Sequence, residues 1–503
     1  MRRGTSHARA LALGLLCFLP RAVPAQAGGR SASSPYSAEA IARKDHRGVT
    51  LRVMTLEKPV LGEPVELHAR QFERLTGASL QVSFIPFPQL YQEVNLGLKK
   101  GKYDVVCYGS MWIADVQPFL ATLPQEMLDS AQYRDVLPHY QSIAKWRGVP
   151  VQVPVDGDRH YLQYRRDLLE DPAFRAEFKR KTGKELRVPR TWKELHEIAR
   201  FFQGRRLPDG NVVSGIAEVT VSDALLANQF ISRAAPYAKH PDVGGGFYFD
   251  LETMEPLVHT PGWVEALQDW VDAQDLYPPG GDRFAFPDVI RSFGRGDAVF
   301  TVSWDDPFVQ AMEPGSPLRN RVAAAPSPGS KRVWNRKAGR WDELPEPNWV
   351  PYVVYGWTCG VARDTPHREA AFDFLGFFAS PENHASDLLV GRFGINPFRR
   401  SDLDRDFWVR RAGWDEAVAR SYVETFDAMA RSRNRVLDLR IHLGQQYVQA
   451  LAVGAYRALS RRDSPQAALD AVAERWRELT RRVGVDKQRE AYRHVVAFED
   501  GRE

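Results

Sequence analysis

Between residues 49 and 109 short apolar runs alternate with amphipathic stretches. Residues 49–56 read as a strand, and residues 64–76 as a helix carrying Val65, Phe72 and Leu75 on one side. "ASLQVSFIPF" is a second strand, residues 89–99 a second helix, and "KYDVVCYGS" a third strand. Strand, helix, strand, helix, strand is the order of a parallel sheet with helices on its faces.

The same order resumes further on. "VPRTWKELHEIARFF" places Thr191 and Glu194 at capping-box spacing and repeats Trp192, Leu195, Ile198 and Phe202 along one helical face. "PGWVEALQDWVDAQDLY" is another amphipathic helix and "DAVFTVSW" another strand. From Asp402 onward the pattern is almost wholly helical, and Ser464-Pro465 opens a helix whose Leu469, Val472, Trp476 and Leu479 form a core stripe. The Pro, Gly, Lys and Arg-rich segment 325–347, with Trp334 and Trp341 in polar surroundings, reads as a long surface hairpin or loop. No repeat of 20 to 50 residues is visible; with 503 residues, 44% of them hydrophobic, the chain has enough core for two or three domains.

The first 27 residues differ from the rest. Arg2, Arg3 and Arg9 precede a ten-residue apolar stretch, residues 10–19, and Ala25-Gln26-Ala27 supplies small residues for cleavage. This predicts a signal peptide over residues 1–27, cleavage after Ala27, a linker over 28–47 and a periplasmic mature protein. Cys17 follows Leu15-Leu16 rather than a small residue, so lipid attachment is not expected. No later run approaches ~18 apolar residues without a charge. Without the leader's four arginines the formal charge falls from +5 to +1, which argues against a nucleic-acid or anionic-membrane partner. Of the two cysteines left, Cys107 and Cys359, both lie in apolar strand-like runs and read as small buried hydrophobes, with a bridge between them open.

Catalytic signatures do not assemble. Cys359, Asp364 and His367 fall within "GWTCGVARDTPHREAAFDFLGFFASPE", but Cys359 reads as strand and His367 as the first turn of the next helix, and nothing in the spacing activates the thiol. "GLKKGKY" is one residue short of a phosphate loop and has Tyr103 where Ser or Thr is needed; "GRGDAV" lacks the third glycine of a dinucleotide fingerprint. The 12 histidines show no metal-ligand spacing, so no metal and no cofactor are expected. Asp156 with Asp158, and Asp305 with Asp306, are carboxylate pairs of the kind sugar hydrolysis uses and equally of the kind that bonds sugar hydroxyls.

Read in order, seven segments over residues 48 to about 400 resemble the extracellular solute-binding proteins of ABC importers, in the sugar-binding, maltose-binding-protein-like branch. They are "FERLTGASLQVSFIP", "KYDVVCYGSMWIADV", "PHYQSIAKWRGVPVQVPVDGDRHYLQYRRDLLED", "VPRTWKELHEIARFF", "DVIRSFGRGDAVFTVSWDDP", "YGWTCGVARDTPHREAAFDFLGFFASPENHASDL" and "GRFGINPFRRS". The chain departs from that family in having Tyr355-Gly356-Trp357 where Gly-Gly-Trp is usual, and in a longer insert at 325–347 and a longer tail after Ser401.

The resemblance implies an α/β, two-lobe periplasmic-binding-protein-like fold with three interlobe crossings and a helical C-terminal tail. Residues 48–155 and 304–361 would form the N-terminal lobe, and 156–303 and 362–503 the C-terminal lobe. A ligand in the cleft would close the lobes about their hinges. The receptor would be a monomer without catalytic activity, and would deliver its solute to a membrane permease.

Ligands of such sheets sit beyond the carboxyl ends of the strands, and a sugar needs aromatic plates and hydroxyl partners. Trp112, Trp304 and Trp357 are the candidate plates. Glu57, Asp158, Arg159 and Asp305 are candidate hydroxyl partners, with Arg392 and Asn396 from the late loop. Two other readings stand beside a carbohydrate receptor: a binding protein for another small polar solute (glycerol phosphate, a polyamine, an organic acid), or a secreted glycosidase or lyase.

Overall fold

In the computed structural model, which describes residues 34–353 and 356–502, two separate five-stranded sheets carry the chain. The signal peptide, its cleavage site and Tyr355 lie outside the described residues. The first sheet grows from the alternation at the start of the sequence: Thr50–Leu56 pairs in parallel with Ser79–Ile85 on one side and Val105–Gly109 on the other. The helices Gly62–Thr76 and Phe87–Lys99 form the crossovers. Trp357–Val361 runs antiparallel beside Val105–Gly109, and Val153–Pro154 completes the row. Buried on both faces, such strands carry nearly continuous apolar runs, as "DVVCYG" does.

The second sheet has the order Val322–Ala325, Tyr161–Arg165, Ala298–Ser303, Val212–Ile216, Arg205–Arg206. Every residue of Ala298–Ser303 and Tyr161–Arg165 is buried. The Trp192–Phe202 helix begins where expected, with the Glu194 N–H donating to Thr191 Oγ1 at 3.1 Å. The Glu194 carboxylate, however, turns to the Arg190 N–H at 2.8 Å rather than closing a reciprocal box with Thr191.

Three crossings join the lobes, but two of the expected positions move. The chain crosses first between Pro154 and Tyr161. It does not cross at Trp304: Asp306–Met312 packs back on the Phe286–Arg295 helix, and Val322–Ala325 adds to the second sheet antiparallel to Tyr161–Arg165. Residues 304–350 therefore belong to the second lobe, and the second crossing lies between Val353 and Trp357. Nor does the chain leave the first lobe at 362. The Arg368–Phe378 helix packs on Gly62–Thr76, and His68 Nε2 meets the Asp387 carboxylate at 3.0 Å. The third crossing follows Asp402, which still bonds His384 of the first lobe, and precedes Glu416–Arg431, which lies on Val322–Ala325. Strand order is a long-range property, and the local pattern around residues 304 and 362 does not name the partner strand.

The 325–347 segment forms a hairpin, Ser330–Asn335 against Arg340–Asn348, with Trp334 and Trp341 directly opposite and their rings 5.6 Å apart. It rests on the Ala224–Ala238 helix. The tail is helical as expected, and Leu469, Val472, Trp476 and Leu479 are all buried. Part of the stretch anticipated as linker is docked: Tyr36 is buried against Gly376, and the Ser34 hydroxyl donates to Gln132 at 2.6 Å.

Cys107 and Cys359 face each other in the antiparallel register of the first sheet and are bridged, with Cα atoms 4.2 Å apart. The bridge replaces the reading of both as free, buried hydrophobes, and among the described residues it leaves no thiol for a nucleophile. Asp364 is exposed beside Arg363, and His367 is the N-cap of the Arg368–Phe378 helix. This stretch is scaffold. Replacing both cysteines by alanine is expected to cost about 2–4 kcal/mol, by release of a long closed loop in the unfolded chain; urea denaturation should show a lower midpoint.

Candidate functional site

The carboxyl ends of both sheets face one cavity of about 390 Å³, within the ~300–1,000 Å³ of small-molecule sites. From the first lobe come Leu56 to Val60 and the turn Gly109 to Trp112, each directly following a strand. From the second come Trp304, which follows Ala298–Ser303, and the first turns of the helices Ala224–Ala238 and Phe286–Arg295. Gln445, in the first turn of Gly444–Leu459, is contributed by the tail.

Aromatic rings line both sides. In the first lobe Trp357 meets Phe87 edge to face at 6.2 Å, and Trp112 meets Tyr91 at 5.4 Å. The Trp112 indole N–H donates to Gln445 Oε1 at 3.0 Å, tying the tail to the first lobe. In the second lobe Trp304 packs against Phe286 at 4.9 Å, with the His160 ring behind it at 4.1 Å. Burial pushes His160 down to about 3, so the ring behind Trp304 is neutral.

Phe87 and Phe286 escaped the sequence reading, yet the signal was present. Each is the first residue of a helix and is followed by proline at the first turn, as Phe87-Pro88 and Phe286-Pro287. Proline fixes the helix start and so fixes where the preceding ring points.

The carboxylates between these walls have distinct partners. Asp156 accepts backbone N–H bonds from Gly157 (2.8 Å), Asn396 (2.7 Å) and Trp357 (3.2 Å), drawing together segments from two crossings and the late loop. Gly157 and Gly356 make this possible. A Cβ on Gly356 would overlap the Asp156 carboxylate, and one on Gly157 the Pro397 carbonyl. Asp158 lines the cavity and accepts from Asn396 Nδ2 at 2.6 Å. Burial, and then the charge of Asp156 beside it, push Asp158 well above the usual carboxylate range. Asp306 also lines the cavity, and burial raises it to about 7, with the neighbouring Asp305 adding to the effect.

Of the nine residues expected from the sequence, Glu57, Trp112, Asp158, Trp304 and Trp357 line the cavity. Arg159 and Asp305 do not. They are buried behind it as an ion pair, Nη2 to Oδ1 at 2.8 Å, with the Tyr422 hydroxyl donating to the same oxygen at 2.6 Å. Asn396 stands behind Asp158 as its hydrogen-bond donor. Arg392 is exposed outside, paired with Glu63. Asp306, weighed from sequence only as half of a carboxylate pair, and Lys58, next to Glu57, also join the lining; Asn228 and Gln445 do so without having been anticipated. Among the described residues no group of three or more His, Cys, Asp or Glu is placed to hold a metal ion, and no helix is long and apolar enough to cross a membrane.

The model of the family described as bacterial extracellular solute-binding protein matches residues 55–385. The chain belongs to that family. Among curated proteins none matches. Solved structures of similar fold include an ABC transporter solute-binding protein of Agrobacterium radiobacter in complex with ribitol, 20% identical, covering 87% of this chain and 100% of that one at a TM-score of 0.66. The maltose-bound T. maritima protein MalE3 is 20% identical, covering 86% of this chain and 100% of its own at 0.65. A solute-binding protein of Agrobacterium vitis with bound D-mannitol is 17% identical, covering 87% and 99% at 0.64. These likenesses extend the two-lobe α/β solute-binding fold over most of the chain.

The raised Asp306 gives this solute-binding protein a pH dependence of defined sign. The folded state keeps a proton up to about pH 7 that an unfolded aspartate loses near ~3.9, so Asp306 lowers stability as pH rises through that window. Asp306→Asn should melt with the native protein at pH 4 and above it at pH 8. Gly356→Ala, which displaces the Asp156 carboxylate from its donors, should lower the melting temperature at both pH values; thermal melts read both outcomes.

Proposed function

We propose that this solute-binding protein is the exported receptor of an ABC importer, that it takes a carbohydrate or polyol into the cleft between its lobes, and that it releases that guest chemically intact to a membrane permease. The observation that carries the reading is the pair of facing aromatic walls, Trp357 with Phe87 and Trp112 from one lobe, Trp304 with Phe286 from the other. A sugar or polyol shows apolar C–H faces to such rings and hydroxyls to the carboxyl and amide groups between them. Ligands of similar chemistry (ribitol, maltose and D-mannitol) occupy the three proteins of like fold.

Closure is the functional motion this reading requires. A guest touching both walls favours the closed arrangement, whereas one touching a single lobe would shift nothing. The Asp156 carboxylate, bonded to two crossing segments and the late loop, lies where the lobes turn on one another.

The carboxylate arrangement supports binding over glycoside hydrolysis. Each pair anticipated from sequence has one member committed to scaffold: Asp156 to backbone donors, and Asp305 to Arg159 and Tyr422. Titrating the purified protein with maltose, ribitol, mannitol and their amino derivatives should give a saturable change in tryptophan fluorescence, with the sugar recovered unaltered by chromatography. Turnover of any of them would end the receptor reading. Trp357→Ala should weaken binding at least tenfold, about 1.4 kcal/mol, with little change in melting temperature because the ring is only half-buried. Trp304 is packed more deeply, at 3% exposure, and its truncation should reduce both affinity and stability.

A further inference from the structure

The charged groups facing the cavity are unequally matched. Glu57, Asp158 and Asp306 present carboxyl groups, and Lys58 is the one ammonium among the described lining residues. Lys58 is exposed, is ion-paired with Glu66, and lies 4.6 Å over the Phe84 ring, so its charge is engaged at the rim.

Several buried carboxylates elsewhere in this protein are answered by a cation. Arg52 meets Asp104 at 2.9 Å, Arg233 meets Glu218 at 2.7 Å and, just behind the cleft, Arg159 meets Asp305 at 2.8 Å. Asp158 has a neutral amide for a partner, Asn396 Nδ2. Asp306 opens the Asp306–Met312 helix and faces the same cavity, close enough that its charge bears on Asp158. A second feature on the opposite wall also points to a guest. The Asn228 side chain lines the cavity at 8% exposure and makes no hydrogen bond to another described residue. Its amide is a ready partner for a ligand hydroxyl or ammonium.

We propose that the guest carries a protonated nitrogen, as an amino sugar or amino-polyol does, with its ammonium seated between Asp158 and Asp306 and its C–H faces against the tryptophans. The assignment rests on the carbohydrate reading and adds the charge of the ligand to it. Closing the cleft on a neutral guest strips water from two carboxyl groups with no countercharge, which forces them to stay protonated. An ammonium supplies the missing charge, accepts both carboxylates in their ionised form, and gains further from the faces of the neighbouring indoles. An anionic sugar, a uronate or a phosphate ester, meets like charge.

The experiment compares matched ligands by calorimetry at pH 7: glucose, glucosamine, N-acetylglucosamine and glucuronate; sorbitol and its 1-amino-1-deoxy analogue; cellobiose and deacetylated chitobiose. In at least one series the amine should bind tenfold or more tighter than its neutral parent. N-acetylation, which removes the charge and keeps the attachment, should abolish that gain, and glucuronate should not bind. Buffers of different ionisation heat should reveal proton release when the amine binds. Asp158→Asn and Asp306→Asn should each bring amine and parent within about threefold of one another, with circular dichroism confirming the fold.

Equal affinity for parent and amine, or retention of the gain after N-acetylation, overturns the charge assignment and leaves the carbohydrate reading standing. If no sugar or polyol of any charge binds, the carbohydrate reading falls, and the assignment with it.

Discussion

The carboxylate of Asp156 holds the geometry of the cleft. It accepts backbone N–H bonds from its own crossing segment at Gly157, from the second crossing at Trp357 and from the late loop at Asn396. Three donors on one buried carboxylate leave little choice in how these strands of chain approach, and two glycines, Gly157 and Gly356, remove the side chains that would keep them apart. That junction also places the site: Asp158 is two residues along, Trp357 is one of the donors, and Asn396 in turn bonds Asp158. A single carboxyl group, raised by burial to about 8, thus sets one aromatic ring and one carboxyl group of the cavity wall, at the junction of the lobes.

Around that centre the protein separates two uses of charge. Arg159 and Asp305 neutralise each other behind the wall, and the Tyr422 hydroxyl completes the shell, so this pair stiffens the second lobe without reaching a ligand. Asp158 and Asp306 look into the cavity and are raised by burial. Carboxyl groups left with few internal partners in a desolvated cleft are costly to folding, and groups so perturbed cluster at functional sites.

Much of this was legible from sequence because it is local. The strand and helix alternation at 49–109, the helix starts at Thr191 and Ser464, the hairpin between 325 and 347 and the buried stripe of Leu469 to Leu479 all depend on neighbours within a few positions. The rest depended on distance. Nothing near Trp304 says that the following strand, Val322–Ala325, joins Tyr161–Arg165, and so the lobe boundaries were misplaced there and at 362. Cys107 and Cys359 each read as an apolar strand residue; only their register makes them partners. Arg159 and Asp305, both suitable for a hydroxyl, found one another first, and Arg392 found Glu63 on the surface. Glu57, Trp112, Asp158, Trp304 and Trp357 line the cavity because each lies at or just beyond the end of a strand or in a crossing, where the topology forces side chains toward the gap. Asn228 and Gln445 lie on helices remote in sequence and offered no local mark.

The bridge between Cys107 and Cys359 spans 252 positions, and every strand of the second sheet lies inside that interval. The second sheet is in effect an insertion within a cross-linked strand pair of the first. During synthesis the first sheet lacks its Trp357–Val361 strand until the whole inserted sheet has emerged, so the earlier domain is the later one to be finished. Once the bond has formed, melting of the inserted lobe leaves a tethered ring whose two ends remain stitched side by side, ready to template its return.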